Sequence, residues 1–442
     1  MANESLGKAK TRKNDEFYTV FDYIQKEMNA YLEYNPDVFR GKTVLLPCDD
    51  PEWSNFTKYF AQNFETLGLE KLISTGYAAD RKEQQYEQYH QMTLFELQSP
   101  QYDEQKSRAH GRIFTLERDA NKSGVIDIDD LEWHYLEGDG DFRSDEVKAL
   151  RDEADIIVTN PPFSLFREFV AWAMEADKKI VVIGNQNAIT YKEIFPLLKD
   201  NKLWIGATNN GQDMVFEVPE GAVVAPKDKE KAEKLGYKGN YTRLGNACWF
   251  TNIDHGRRHQ PLSLMTMADN LKYSKHKQIR EQGYLKYDNY DAIEVPFVDA
   301  IPSDYVEDMG VPITYLQRHN PEQFEVVKFR KGNDDKDLTY TVDSGTILTD
   351  RQTDRQTDRQ TDRQTDAELR RTSESSSDAR CNGVMGVPIT FLFRHSPEQF
   401  EIIGLAAGNI RGLAGITSRT GKDGPYINGK LRYGRIFIKR KM

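Results

Sequence analysis

Asn160, Pro161, Pro162 and Phe163 are the residues whose types and spacing in this sequence best fit a chemical reaction. An amide side chain accepts hydrogen bonds, two prolines turn the backbone without offering a donor, and a phenyl ring stacks on planar groups. Together they could hold a planar base and accept the hydrogens of its exocyclic amine. The tetrapeptide therefore predicts the catalytic loop of an enzyme that methylates amino groups. The structural alternative for Asn160 is a cap at the end of a strand.

The sequence before this loop predicts the strand that must position it. Ile156, Ile157 and Val158 form an apolar, β-branched run, which is typical of a buried strand. Consecutive prolines cannot continue a central strand, so the loop should lie at the carboxyl end of this one. In open parallel sheets, ligands bind at that edge.

Helices and strands alternate between residues 15 and 255. Apolar spacing predicts strands at residues 43–47, 156–158, 180–183, 213–218 and 247–253, and helices that include residues 21–32, 59–67 and 166–173. This alternation predicts an α/β fold with an open, mainly parallel sheet that is covered on both faces. A second turn, Cys48-Asp49-Asp50-Pro51, follows the first of these strands and should reach the same edge.

Composition excludes several classes of protein. The chain has 442 residues and a net charge of −10. It contains no apolar run of the roughly 18 residues that a membrane helix needs, and its N-terminus lacks the apolar segment of a secretory signal. Cys48, Cys248 and Cys381 are too far apart for a zinc ribbon. An odd number of distant cysteines is typical of a reducing compartment, so a cytoplasmic location is predicted.

Two basic stretches could contact phosphate groups in spite of the acidic net charge. The first runs from Arg257 to Lys286 and is interrupted by only two acidic residues, and the second runs from Lys430 to Lys441 without any. A local basic surface is compatible with nucleic-acid binding. An ordinary solvated face is an equally good interpretation of either stretch alone.

One block of sequence occurs twice in the C-terminal half. Residues 309–325 recur with few changes as residues 385–401. Between the copies, residues 349–366 (the repeat tract) contain Thr-Asp-Arg-Gln four times and then begin a fifth copy. A charged repeat without aromatic residues cannot form a core, so this tract is predicted to be disordered. The two blocks could be alternative C-termini that the repeat joins.

The period of the repeat also carries information about the gene. A DNA repeat of four nucleotides returns to the same reading phase after four codons, and repeated GACA encodes Asp-Arg-Gln-Thr. The hypothesis is a tandem tetranucleotide whose change by one unit shifts the frame after Leu348 and leaves the catalytic half intact. Such a reversible change of reading frame is called phase variation. The alternative interpretation of the tract is an inert linker.

These motifs resemble the adenine-specific DNA methyltransferases of the EcoRI type. The resemblance runs from Glu16-Phe17-Tyr18-Thr19 through the aspartate turn and the Asn160 loop to the Gly-Val-Pro-Ile-Thr blocks. It implies a Rossmann-like domain with S-adenosylmethionine as methyl donor, and a flipped adenine in a specific site of double-stranded DNA as acceptor. It also implies a restriction-modification system or a phage, with a cognate restriction endonuclease acting separately.

The resemblance assigns roles to residues around the two turns. Asn160 and the Pro161 carbonyl would accept the hydrogens of the adenine amine, and Phe163 would stack on the base, with Pro162 completing the loop. The cofactor-binding residues that it implies around the aspartate turn are Phe17, Tyr18, Asp49, Asp50 and Pro51. Either aspartate would bind the methionyl amine, and the two aromatic residues would line the methionine side. The turn lacks the glycines that methyltransferases commonly place there.

Residues 138–143 form a second candidate for cofactor binding. This acidic turn contains two glycines and precedes the catalytic strand by one predicted helix. Asp141 could accept the amine of the cofactor's adenine, and Phe142 could pack against its ring. An exposed acidic turn without a ligand would have the same sequence.

A further acidic segment matches part of a calcium-binding EF-hand loop. Positions 1, 3, 5, 6, 9 and 12 of that loop correspond to Asp119, Asn121, Ser123, Gly124, Asp127 and Asp130. The last position carries aspartate in place of the longer glutamate, which weakens bidentate coordination. A solvated acidic hairpin is therefore favoured over bound calcium, and any ion would be structural.

These observations predict four regions and one main function. The regions are a catalytic domain at 1–255, a DNA-recognition region with the first duplicated block at 256–348, a linker at 349–380 and the second block with a basic C-terminus at 381–442. The main prediction is a DNA adenine N6-methyltransferase with an irregular C-terminal region. The alternatives are a methyltransferase acting on RNA guanine or protein glutamine, and a degenerate DNA-binding protein without catalysis.

Overall fold

The computed structural model describes residues 18–48, 51, 54–78, 101–208, 214–218, 224–288, 291–329, 339–341, 347–349, 426–428, 430–431 and 435–440. The chain forms two compact units. Unit 1 contains residues 1–261 and 316–321, and unit 2 contains residues 262–315 and 322–442. Phe17, Asp49, Asp50, the repeat tract from residue 350 onward and the second duplicated block lie outside the described residues.

Unit 1 alternates strands and helices along the chain. Its strands are β1 (Tyr18–Thr19), β2 (Thr43–Leu46), β3 (Lys71–Gly76), β4 (Arg112–Leu116), β5 (Glu132–Tyr135), β6 (Ile156–Thr159), β7 (Lys179–Asn185), β8 (Trp204–Ile205), β9 (Met214–Glu217), β10 (Tyr241–Leu244) and β11 (Ala247–Thr251). Its α-helices are α1 (Phe21–Tyr34), α2 (Asn55–Gln62), α3 (Phe64–Leu67), α4 (Glu104–Ala109), α5 (Asp145–Glu153), α6 (Phe166–Glu175), α7 (Phe195–Lys199) and α8 (Pro226–Lys234).

Eight of these strands form one sheet in the order β5-β4-β3-β2-β6-β7-β11-β8. The four central strands β3, β2, β6 and β7 are parallel to one another, and all residues of β2 and β6 are buried. Strands β4, β5, β11 and β8 extend the sheet through antiparallel pairs. The fold is therefore α/β with a large mixed sheet, and the prediction of a mainly parallel sheet holds only at its centre. Apolar runs indicate burial but not strand direction, which explains the difference.

The helices follow the predicted apolar spacing, with one interruption. Ile24, Met28 and Tyr31 of α1 are fully buried, as expected for one face of an amphipathic helix. The helix predicted across residues 59–67 is divided at Asn63, which separates α2 from α3. The Asn63 side chain donates to the Tyr59 carbonyl at 2.8 Å. Such local bonds from asparagine compete with helical ones and favour a break.

A buried carboxylate links α1 to the residues after β8. Glu27 is fully buried and accepts hydrogen bonds from the Tyr31 hydroxyl (2.6 Å) and from the Ala207 and Thr208 amides (2.7 Å each), as well as from the Thr208 hydroxyl. Burial raises the pKa of Glu27 above its ordinary value, and these hydrogen bonds act in the opposite direction. Glu27 therefore holds the chain that leads from the large sheet towards β9.

Replacing Glu27 by glutamine is expected to lower the free energy of unfolding by about 2–3 kcal/mol. The amide NH₂ would face groups that donate hydrogen bonds, which leaves buried donors without an acceptor. Urea denaturation measures the effect. Glu33→Gln, an exposed change on the same helix, should alter stability by less than about 0.5 kcal/mol. Equal stability of the two variants would show that the Glu27 contacts do not stabilise the fold.

A smaller sheet in the order β1-β9-β10 completes unit 1. In it, Tyr18 pairs with Glu217 and Thr19 with Phe216, both in antiparallel register. Strand β9 carries buried Met214, Val215 and Phe216, which belong to the apolar core of unit 1. This sheet holds the start of the described chain against that core.

Unit 2 contains short elements around a four-stranded sheet. They are α9 (Met267–Tyr273), α10 (Lys277–Gln282), β12 (Ile293–Glu294), β13 (Met309–Pro312), β14 (Phe324–Phe329), β15 (Thr339–Thr341), β16 (Ile347–Thr349), β17 (Tyr426–Ile427), β18 (Lys430–Leu431) and β19 (Arg435–Arg440). The sheet order is β12-β13-β19-β14. Thus the region predicted to be irregular has regular β structure at its centre. No helix within the described ranges is long and apolar enough to cross a membrane.

Candidate active site

The Asn160 loop begins where the central strand β6 ends. Asn160 directly follows Thr159, the last residue of β6, and Pro161 is buried. Phe163 is half-buried and packs against the apolar core of unit 1. The Pro162 carbonyl accepts a hydrogen bond from the Leu165 amide at 2.9 Å, which turns the chain into α6. The loop therefore lies at the carboxyl edge of the sheet, where the sequence predicts it, and the roles of its side chains towards a base stay predictions.

A glycine in the neighbouring strand fixes the far end of this loop. A Cβ atom at Gly184 of β7 would lie only 2.4 Å from Cε2 of Phe166, the first residue of α6. The Phe166 ring is buried and lies 5.0 Å from the Phe250 ring, measured between centroids. Gly184 thus lets α6 begin directly against the sheet. The signal in the sequence is a glycine inside a buried strand, which often marks close packing.

The strand that precedes the aspartate turn lies beside the strand that precedes the Asn160 loop. Leu45 of β2 pairs in parallel with Ile157 of β6, so the carboxyl ends of the two strands are adjacent, at the usual spacing of about 4.8 Å. Pro51 of the turn is buried. Ser54 then caps α2, because its Oγ accepts from the Phe56 amide at 3.1 Å and the Thr57 amide at 3.4 Å. The N-terminus of α2 is therefore fixed at the edge that carries Asn160.

Two side chains of α2 connect this turn to its neighbours. Asn55 donates to the Thr19 carbonyl at 2.9 Å, which ties β1 and its residue Tyr18 to the start of the helix. The Thr57 hydroxyl bonds to the Ser74 hydroxyl of β3 at 2.9 Å, and both are buried. Of the residues predicted around the cofactor turn, Tyr18 therefore lies in the strand that is bonded to the start of α2, and Pro51 lies three residues before the Ser54 cap. No local pattern in the sequence indicates the contacts of Asn55 and Thr57, because their partners lie in β1 and β3.

The acidic turn at residues 138–143 packs against the end of β3. The Asp139 carbonyl accepts from the Ala78 amide at 2.8 Å. A Cβ atom at Gly140 would lie 2.5 Å from the Gly76 carbonyl oxygen, and Gly140 has φ of +81°, which favours glycine. A Cβ atom at Gly111 would similarly lie 2.8 Å from that oxygen. Close backbone packing thus places this turn at the carboxyl end of β3, the strand that pairs with β2.

Asp141 and Phe142 have defined partners within this turn. The carboxylate of Asp141 binds Arg143 in a bidentate manner, with distances of 2.9 Å to Nε and 2.7 Å to Nη2. This interaction raises the pKa of the Arg143 guanidinium. The Phe142 ring is 5% exposed and lies 5.2 Å from the Phe169 ring and 5.5 Å from the Trp172 ring. The roles of Asp141 and Phe142 towards a cofactor stay predictions.

In the segment that resembles a calcium-binding loop, carboxylates accept hydrogen bonds from backbone amides of the same loop. Asp119 accepts from the Ser123 amide at 2.9 Å and the Gly124 amide at 2.7 Å. Asp130 accepts from the Asn121 and Asp127 amides, and these bonds lower the pKa of its carboxyl group. Among the described residues, no group of three or more His, Cys, Asp or Glu side chains is arranged to hold a metal ion.

A large mixed sheet with an Asn-Pro-Pro-Phe loop at its carboxyl edge is consistent with a methyltransferase. The comparison with protein families narrows this class. The sequence model of the adenine-specific methyltransferase EcoRI family matches residues 5–382 and residues 368–441. The chain belongs to this family. The second match means that the C-terminal part, after the repeat tract, also has the family's sequence.

The chain is also similar to three curated proteins, all of them Type II methyltransferases. The Type II methyltransferase M.EcoRI of Escherichia coli is 41% identical over 338 residues, which are 76% of this chain and 92% of that protein. The Type II methyltransferase M.MpnI of Mycoplasma pneumoniae is 35% identical over 323 residues, or 73% of this chain and 84% of that protein. M.MgeORF184P of Mycoplasma genitalium is 33% identical over 323 residues, or 73% and 85%. No solved structure matches the chain.

Proposed function

We propose that this protein transfers the methyl group of S-adenosylmethionine to the N6 amine of an adenine in a specific site of duplex DNA. The observation that carries the proposal is the position of Asn160 at the end of β6, beside the capped start of α2 at the end of β2. This arrangement supports a base-binding loop and a cofactor turn at one sheet edge. Family membership supports adenine as the base.

The chemistry follows from hydrogen-bond acceptors that are fixed before the reaction. The adenine amine is a poor nucleophile because its lone pair is delocalised into the ring. The Asn160 Oδ1 atom and the Pro161 carbonyl oxygen would accept its two hydrogens, which favours a tetrahedral nitrogen with an available lone pair. Preorganised acceptors of this kind lower the barrier without a covalent enzyme intermediate.

Phe163 would hold the target base outside the helix. An adenine amine inside a DNA duplex cannot reach a loop at a sheet edge, so the base must rotate out of the stack. The Phe163 ring is half-buried against the core of unit 1, which restricts its orientation. A ring held in this way can stack on the flipped base and offset part of the cost of unstacking it.

The residues at the edge of the sheet fit S-adenosylmethionine, which supplies an electrophilic methyl group when it is bound. The N-terminus of α2 favours a carboxylate, such as that of the methionyl group. Either Asp49 or Asp50, in the adjoining turn, would bind the methionyl amine. Tyr18 and Phe17 would line the methionine side, and Pro51 would complete the turn. Asp141 and Phe142 would contact the adenine end.

Replacing Ser54 by alanine is expected to lower the free energy of unfolding by about 1 kcal/mol, because α2 loses its cap. The same change should weaken S-adenosylmethionine binding, because without its cap the first turn of α2 frays where the cofactor carboxylate would bind. Thr266→Ala is the matched control, because Thr266 caps α9 of unit 2 through the Asp269 amide. Urea denaturation and calorimetric titration should show similar stability losses but weaker binding for Ser54→Ala alone. Equal cofactor affinities would contradict the position given to the cofactor.

The family also suggests a biological setting. The protein would act in the cytoplasm as the modification enzyme of a restriction-modification system or a phage, with a separate endonuclease for the same site. Unit 2 would contribute to target recognition. Several basic side chains on α9, on α10 and in the segments that follow these helices are exposed: Lys272, Lys275, Lys277, Arg280 and Lys286. Exposed cations provide contacts to DNA phosphates.

Methyl transfer to competing substrates tests the proposal. Labelled S-adenosylmethionine should transfer its methyl group to unmethylated duplex DNA and not to ribosomal RNA or to protein. Incorporation into RNA or protein alone would replace the proposed substrate with guanine or glutamine. Binding of DNA without binding of the cofactor would identify a protein that has lost catalysis.

A further inference from the structure

The C-terminal strand of the chain lies inside the sheet of unit 2. Strand β19 pairs on one side with β13, where Val311 is the register partner of Ile436, and on the other with β14, where Val326 is the register partner of Ile438. Strands β13 and β14 come before the repeat tract in the sequence, and β19 comes after it. The sheet therefore joins segments from both sides of the tract.

β13 and β14 depend on β19 for most of their backbone pairing. Among the described strands, β14 pairs only with β19, and the other partner of β13 is the two-residue strand β12. The side chains of Met309, Val311 and Phe324 on the outer strands are 0–2% exposed. Loss of a central strand would leave two unpaired edges and expose apolar surface.

A second contact anchors the C-terminal segment in unit 2. Ile427 is 3% exposed and packs with Tyr287 and Ala292 in a small apolar cluster. The amide of its neighbour Asn428 donates to the Asp288 carboxylate at 3.1 Å. Both contacts join the end of the chain to residues that precede the repeat tract. Among the described elements, no strand of unit 1 comes from residues that follow the repeat tract.

We infer that the reading frame of the repeat tract decides whether the sheet of unit 2 is completed. In the present frame the gene encodes β17, β18 and β19. A change of one four-nucleotide unit would replace these strands by unrelated sequence, while every residue of unit 1 would stay the same. The tract would thus switch unit 2 between a complete and an incomplete sheet. The effect on DNA methylation rests on the proposed function, but the effect on the sheet does not.

The experiment compares three forms of the gene. One lacks a single four-nucleotide unit, and a matched control lacks three units, which restores the frame and removes only four residues. The third keeps the protein sequence but uses synonymous codons that interrupt the DNA repeat. Hydrogen exchange followed by mass spectrometry reports on the amides of β13, β14 and β6, and methyl transfer is measured in parallel.

The single-unit deletion should accelerate exchange in residues 309–311 and 324–327 by a factor of about 100 and leave β6 protected. The other two forms should exchange like the original protein. The number of repeat units should vary between colonies only for genes that keep the tandem DNA repeat, and not for the gene with synonymous codons. Unchanged protection of β13 and β14, lost protection of β6, or a gene without a tandem tetranucleotide would each overturn the inference. If the single-unit deletion loses protection in β13 and β14 but the original protein does not methylate DNA, the inference about the sheet holds and the proposed function is refuted.

A point variant tests the same strand without a change of frame. Ile438→Pro removes a backbone donor from the middle of β19 and should accelerate exchange in β13 and β14. Lys441→Pro, beyond the last residue of β19, is the control and should leave exchange unchanged. Equal exchange in the two variants would show that β19 does not hold the sheet together.

Discussion

Replacing Asn160 by alanine is expected to lower kcat for methyl transfer by a factor of about 10² to 10³, with little change in cofactor affinity. The change removes one of two acceptors that act on the adenine amine in the transition state, and the loss of one such preorganised group has an effect of this size. The cofactor turn follows a different strand, β2, so its structure should persist. Single-turnover kinetics and calorimetric titration measure the two quantities.

Asn185→Ala is the matched control for this variant. Asn185 ends the adjacent strand β7, and its Oδ1 atom accepts from the Asn187 amide at 2.9 Å, as a strand-end cap would. Its loss should destabilise the local turn by about 1 kcal/mol and change kcat by less than tenfold. If Asn160→Ala has the same small effect on kcat, Asn160 is a structural cap and the proposed chemistry is wrong.

Replacing Gly140 by alanine should lower the free energy of unfolding by about 3 kcal/mol and weaken S-adenosylmethionine binding. The residue has φ of +81°, a conformation that costs other residues roughly 1–2 kcal/mol. The new Cβ atom would also lie 2.5 Å from the Gly76 carbonyl oxygen, a backbone atom at the end of β3. The turn must therefore move away from β3 and carry Asp141 with it. Urea denaturation and cofactor titration report the two effects.

Gly138→Ala provides a control in the same turn. A Cβ atom there would meet nothing closer than the Glu146 Oε2 atom at 3.5 Å, which is an ordinary contact. Its stability and cofactor affinity should stay close to those of the original protein. If cofactor affinity is unchanged in Gly140→Ala as well, the acidic turn does not bind the cofactor.

The sequence was sufficient to predict the central strands and the Asn160 loop because their signals are local. The apolar run 156–158 and the prolines that follow it specify a strand and its end within a few residues. The structure places that strand as β6, between β2 and β7. The helices at residues 21–32 and 166–173 were predicted for the same reason.

Features that depend on distant pairing were not predictable in this way. The antiparallel direction of β4 and β11 depends on connections that an apolar pattern does not encode. The burial of Phe142 against Phe169 and Trp172 requires α6 to lie over the acidic turn. The insertion of β19 between β13 and β14 joins segments more than a hundred residues apart, and no local signal specifies the partner.

The most direct test of the central claim is nucleoside mass spectrometry of unmethylated duplex DNA after incubation with the protein and S-adenosylmethionine. We expect N6-methyladenine with the original protein and none above background with Asn160→Ala. A methylated base other than adenine would contradict the proposed acceptor. The absence of any methylated base, from a folded protein that binds the cofactor, would contradict the assignment of duplex DNA as the substrate.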